Sequence, residues 1–140
     1  MKTSFIVFIP ARYASTRFPG KALAKLGGKP IIVHVLEKAL AVIPDIYVAT
    51  DDERIAECVR NNGGIAILTG EHSNGTSRIA EAFRSLDRKP DEETILINLQ
   101  GDEPLFPSTL LKDIMAVFSD PKVNIATAVH RCSDPTWLSN

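Results

Sequence analysis

Short apolar runs alternate along the chain with amphipathic stretches of helical period. Residues 4–9 (SFIVFI) are apolar, β-branched and aromatic, as expected of a strand buried on both faces. Pro10 is expected to stop it. Residues 10–29 are rich in Gly, Pro, Ser and basic side chains, and a loop that long inside a compact domain is usually functional or disordered. Over 30–42 the period turns helical, with Ile32, Val35, Leu36 and Ala39 on one face and Pro30 suited to the first turn. Residues 45–50 (DIYVAT) read as a second strand. Thr50 and Glu53 then stand at capping-box spacing ahead of a helix that stops at Asn61-Asn62-Gly63-Gly64.

The pattern repeats. Residues 65–69 predict a third strand, 70–75 a polar loop, and 76–86 a helix with Ile79, Phe83 and Leu86 inward. After a charged connection, 94–99 (TILINL) predicts a fourth strand. The turn 100–104 leads to a helix over 107–118 with Leu111, Ile114, Met115 and Phe118 on one stripe. Residues 123–129 predict a fifth strand. Such alternation calls for an α/β fold, a doubly wound, mostly parallel sheet with helices on both faces. Ligands of such sheets sit beyond the carboxyl ends of the strands where the winding reverses. With strand order 3-2-1-4, that point lies between the first and fourth strands. The two least ordinary loops, 10–21 and 100–104, follow those two strands.

Composition narrows the class. The 140 residues, 44% hydrophobic and 24% charged, suit one globular domain. No apolar run approaches the roughly 20 residues of a membrane span. Met1-Lys2-Thr3 leads straight into the first strand, so no export signal and a cytoplasmic location are expected. A net charge of −1 argues against a nucleic-acid binder. The basic residues nevertheless cluster early, at Arg12, Arg17, Lys21, Lys25 and Lys29, which suits a small polyanion. Cys58 and Cys132 match no metal or redox spacing and read as packing residues.

The loop after the first strand reads Pro10-Ala11-Arg12-Tyr13-Ala14-Ser15-Thr16-Arg17-Phe18-Pro19-Gly20-Lys21. It brings two guanidinium groups and an ammonium together without an adjacent acid. Arg forks match phosphate oxygens, and Ser15, Thr16 and backbone N–H groups, from Ala11 onward, add neutral donors. It contains neither a Walker A loop nor the dinucleotide fingerprint.

The pattern I-P-A-R-x-x-S-x-R-x-P-x-K, followed by L-x-G-K-P, resembles the opening of the 3-deoxy-manno-octulosonate (Kdo) cytidylyltransferases. Thr50-Asp51, Gly75-Thr76-x-Arg78 and Asn98-x-Gln100-Gly101-Asp102-Glu103-Pro104 follow in that family's order. The resemblance, which extends to about Val129, implies a nucleotide-diphospho-sugar transferase-like, Rossmann-like domain. It implies transfer of CMP from CTP to Kdo with Mg²⁺, giving CMP-Kdo and pyrophosphate for lipopolysaccharide synthesis. Arg12, Arg17 and Lys21 would hold the triphosphate, with Arg12, Lys21 and Asp102 catalytic and Asp102 on the metal. A carboxylate facing a triphosphate makes sense chiefly with a divalent cation between them. Gln100 would contact nucleotide or sugar, and Glu103 would brace its turn.

Residues 72–78 (HSNGTSR) resemble the family's H-x-S-G-T-[ED]-R, with Asn74 for Ser and Ser77 for the acid. Gly75 would allow close backbone approach, Thr76 would cap the helix, and Arg78 would face the nucleotide. His72, His34 and His130 read as structural, and Asp51 and Asp52 as favourable charge at a helix N-terminus. Family members continue with a second half that carries most of the sugar pocket and the homodimer surface. Residues 1–129 are therefore read as the nucleotide-binding domain and 130–140 as the start of that half. The chain is expected to be an incomplete, inactive fragment. Alternatives are a cytidylyltransferase for 8-amino-Kdo or neuraminate and a non-catalytic nucleotide-binding module. A dehydrogenase is least supported, for want of the glycine fingerprint.

Overall fold

The computed structural model describes residues 3–129; the readings of His130, Cys132 and the segment 130–140 lie outside them. Strand β1 (Phe5–Ala11) leads into the long loop, which ends in a short 3₁₀ turn at Lys21–Leu23. A two-residue hairpin, β2 (Lys25–Leu26) and β3 (Lys29–Pro30), feeds α1 (Ile31–Leu40). Then come β4 (Ile46–Thr50), α2 (Glu53–Asn61), β5 (Ile65–Leu68), α3 (Gly75–Arg84), β6 (Ile95–Asn98) and α4 (Thr109–Val117).

The sheet order is β5-β4-β1-β6, all parallel, as the alternation predicts. Successive residues of β1 serve opposite faces. Val7 and Ile9 pack with Ile32, Leu36, Ile55, Val59 and Leu111, from α1, α2 and α4. Ile6 and Phe8 pack with Ala49 and with Ile79 and Ala82 of α3. Phe8, fully buried, also stacks on Tyr47 and meets Phe83 edge-on, with ring centroids 5.6 and 6.4 Å apart. This strand, apolar on both sides, is the middle layer of three.

Four local expectations change. β1 runs through Pro10, which pairs with Ala49, and ends at Ala11. Even-numbered residues from Ser4, just before β1, onward bond toward β6, as Ile95 N→Ser4 O and Leu99 N→Phe8 O show. Pro10 stands past the last residue of β6, so its missing N–H forfeits no ladder bond. The cap of α2 is Asp52, whose carboxylate accepts from Arg54 N at 2.9 Å, and not Thr50. Thr50 is buried at the end of β4, and Glu53 reaches Arg60 instead. Asn74, not Thr76, caps α3, accepting from Ser77 N at 2.8 Å.

The fourth change is at 123–129, where no strand forms. Residues 126–128 lie across a groove of about 470 Å³ from β6, out of ladder contact, and Ile125 is 89% exposed. Alternation is satisfied there, but a strand needs a partner edge within about 5 Å. No helix among the described residues is long and apolar enough to cross a membrane.

Candidate functional site

A cleft of about 270 Å³ opens over the carboxyl ends of β1 and β6, where the winding reverses. Its first wall is the loop after β1: Ala11, Arg12 and Ser15, then Lys21 at the start of the 3₁₀ turn. Ser15 Oγ accepts a long bond from Phe18 N, 3.4 Å, within the loop. The second wall is the turn after β6, with Gln100, Gly101 and Asp102. Gln100 Nε2 donates to Asn98 Oδ1 at 3.3 Å. The two walls meet at one ion pair, Lys21 Nζ to Asp102 Oδ2, 3.4 Å. Both side chains are about half exposed, so the pair is worth little to stability and is free to exchange partners.

The third wall is the loop before α3. Gly75 abuts the ring of Pro10: a Cβ there would lie 3.1 Å from Pro10 Cγ, so the expected close approach is made to β1. Arg78 is 3% exposed. Its guanidinium donates to Thr69 Oγ1 at 2.7 Å, Gly70 O at 3.3 Å and Asp51 Oδ2 at 3.3 Å. Arg78 thus has an acidic partner in Asp51, just past the end of β4, although position 77 carries Ser. Asp51 is an ion-pair partner rather than helix-terminal charge alone. Arg78 reaches the cleft wall, with these donors engaged behind it.

Of the ten residues expected to bind nucleotide or metal, Arg17 and Thr76 do not line this cleft. Arg17 is exposed. The early basic cluster also divides, because Lys29 pairs with Glu37 beside the hairpin. His34 closes that hairpin on Leu26 O at 2.7 Å, a structural role as expected.

Two wall residues carry more than the sequence assigned. His72 lines the cleft and bonds Glu81, which also accepts from Gly70 N. The His72 contact, with help from the Gly70 N–H, holds the Glu81 carboxyl below its ordinary range. Asn74 lines the cleft while capping α3. The spacing of Asn74 to Ser77, cap to third helical residue, was the available signal for the latter. Cys58 packs against the core, where burial pushes its thiol up, in keeping with a packing role.

A parallel sheet with this cleft at its reversal point defines a doubly wound, Rossmann-like α/β domain. The chain belongs to the cytidylyltransferase family, whose model matches residues 6–137. It is 48% identical over 126 residues to a 3-deoxy-manno-octulosonate cytidylyltransferase from Phocaeicola vulgatus, covering 89% of this chain and 49% of that protein. A protein of the same name from Hahella chejuensis is 43% identical over 141 residues, covering 99% and 54%. A solved CMP:2-keto-3-deoxy-manno-octonic acid synthetase complexed with CTP superposes with TM-score 0.75 at 38% identity, covering 86% of this chain and 50% of that one. The 4-diphosphocytidyl-2C-methyl-D-erythritol synthase of Anaerococcus prevotii, TM-score 0.60 at 16% identity, shares the fold. The chain spans about half the length of the curated relatives it matches.

Proposed function

We propose that this cleft binds CTP with Mg²⁺ and, in the full-length form, serves transfer of CMP to Kdo in the cytoplasm, for lipopolysaccharide synthesis. The observation that carries the reading is the convergence of Arg12, Ser15, Lys21 and Asp102 on one cleft, from loops up to 90 residues apart. Arg12 and Lys21 supply positive charge for a triphosphate, and Ser15 a neutral donor. Asp102 is a single half-exposed carboxylate. Mg²⁺ commonly takes one or two carboxylates and fills its shell with phosphate oxygens and water, so this donor fits it. Once bound there, Mg²⁺ would polarise the α-phosphate and favour the ionised attacking hydroxyl.

The reaction is an in-line displacement: the sugar's anomeric oxygen bonds to the α-phosphorus as the bond to pyrophosphate breaks. Positioning and charge stabilisation supply most of the rate in such transfers. Lys21 is paired with Asp102, and both side chains are half exposed. On nucleotide binding Lys21 would turn to the triphosphate and offset the charge on departing pyrophosphate. Gln100 and the wall from His72 to Gly75 are left for nucleoside or sugar. Arg17, outside the cleft lining, would have to turn toward the phosphates to join them. The homodimer implied by the family resemblance belongs to the same full-length form.

Calorimetry on the 140-residue chain tests the binding step. CTP should bind in a Mg²⁺-dependent manner, and NADH at least tenfold more weakly, about 1.4 kcal/mol. Equal affinity for the two would overturn the reading.

A further inference from the structure

We infer that Arg54 is a positioning residue for the loop after β1: it clasps Tyr13 and so fixes the curl that presents Arg12, Ser15 and Lys21. The inference rests on the nucleotide reading for its consequence in affinity, but not for the clasp itself. Arg54 Cζ lies 3.5 Å from the centroid of the Tyr13 ring. The same guanidinium is held in a fork by Asp52, Nε to Oδ1 at 3.0 Å and Nη2 to Oδ2 at 2.7 Å. Asp52 is itself fixed as the cap of α2. The guanidinium plane is therefore set by a helix terminus, and the aromatic ring is set by the guanidinium.

The ring in turn shapes the loop. A Cβ placed on Gly20 would stand 2.9 Å from Tyr13 Cε2 and 3.0 Å from Cζ, so the ring occupies the space a side chain would need. Gly20 has φ +72°, and its N–H donates to Tyr13 O at 2.8 Å, closing 13–20 into a ring of chain. Gly20 also begins the 3₁₀ turn whose first residue is Lys21. The chain of cause runs from α2 through Asp52, Arg54 and Tyr13 to Gly20 and Lys21. Neither Arg54 nor Tyr13 lines the cleft, so both act through the residues that do. Arg54, although cationic and close to the loop, is committed to Asp52 and the ring rather than offered to phosphate.

The test compares Arg54→Ala, Tyr13→Ala, their double variant and Tyr13→Phe in the 140-residue chain, with two readouts. The first is amide hydrogen exchange at Gly20, which needs no ligand. Arg54→Ala and Tyr13→Ala should speed it about tenfold, with the core amides of β1 and β4 unchanged. The second is affinity for CTP with Mg²⁺. Both Ala variants should weaken it about three- to fivefold, and the double variant should lose little more than either alone. Tyr13→Phe keeps the ring and should preserve both values. Unchanged Gly20 exchange in Arg54→Ala would overturn the clasp. Faster exchange with unchanged affinity would keep the clasp and overturn its role in presenting the loop. If the wild-type chain does not bind CTP, the nucleotide reading falls, and the exchange data still decide the clasp.

Discussion

Asp102 and Lys21 are paired at 3.4 Å across the crevice, and each is polar, half exposed and replaceable without disturbing the core. Asp102→Asn removes the charge in a nearly isosteric side chain. It should weaken Mg²⁺-dependent CTP binding at least tenfold, about 1.4 kcal/mol, by calorimetry at an unchanged melting temperature. Unaltered Mg²⁺ dependence would assign Asp102 to the turn alone. Two other acids matter to the pH response. The Asp52 carboxyl is lowered chiefly by its bonds from Arg54, and that of Glu81 chiefly by His72. From their ordinary values, 3.8 and 4.5, downward, the unfolded chain takes up protons that the folded chain resists. Stability that is fully present above that range is therefore lost as pH falls through the folded values. The melting temperature should drop between about pH 5 and pH 3, less steeply in Asp52→Asn, which keeps the cap but loses the charge.

At the scale of elements, the third wall of the cleft depends on one buried cation. Arg78 joins the ends of β4 and β5 to α3 through Asp51, Thr69 and Gly70. Removing it leaves Asp51 and Thr69 partly buried without their donor, so Arg78→Met should destabilise by about 3 kcal/mol in urea denaturation. Asn74→Ala removes a cap of the kind worth about 1 kcal/mol and should loosen the start of α3. Strands and helices were legible in the sequence because each carries its own period. The caps were legible less well: Thr50 and Thr76 had suitable side chains, but Asp52 and Asn74 stood where the chain enters the helix. The segment 123–129 shows the other limit, since its alternating residues specify a face but cannot supply a neighbouring edge.

For the molecule as a whole, transfer requires the sugar hydroxyl in line with the α-phosphorus, and misplacement by about 1 Å costs roughly a hundredfold. The chain spans 49% of the Phocaeicola relative, and among the described residues the outer edge of β6 is unpaired. The 140-residue chain alone should release no pyrophosphate from CTP in the presence of Kdo and Mg²⁺. A chimera completed with the second half of that relative should release it. Turnover by the short chain would relocate the sugar site. A chimera active only with neuraminate or 8-amino-Kdo would keep the reaction class and change the substrate.

The sequence by itself determined the layered, mostly parallel architecture and singled out the two unusual loops; the strand order β5-β4-β1-β6, which brings those loops face to face, came from the structure. Apolar runs such as β1, helical periods between strands and right-handed crossovers leave little other choice of layering. The sequence also placed Ala11, Arg12, Ser15, Lys21, Gly75, Arg78, Gln100 and Asp102 along one cleft, through motifs that hold their spacing. Only the tertiary structure decided which charges find each other. Asp51 lies 27 residues from Arg78, and Lys21 lies 81 from Asp102. Tyr13, in the loop after β1, is held by Arg54 of α2. Pairings of that kind depend on where rigid elements carry side chains in space, and no local period along the chain records it.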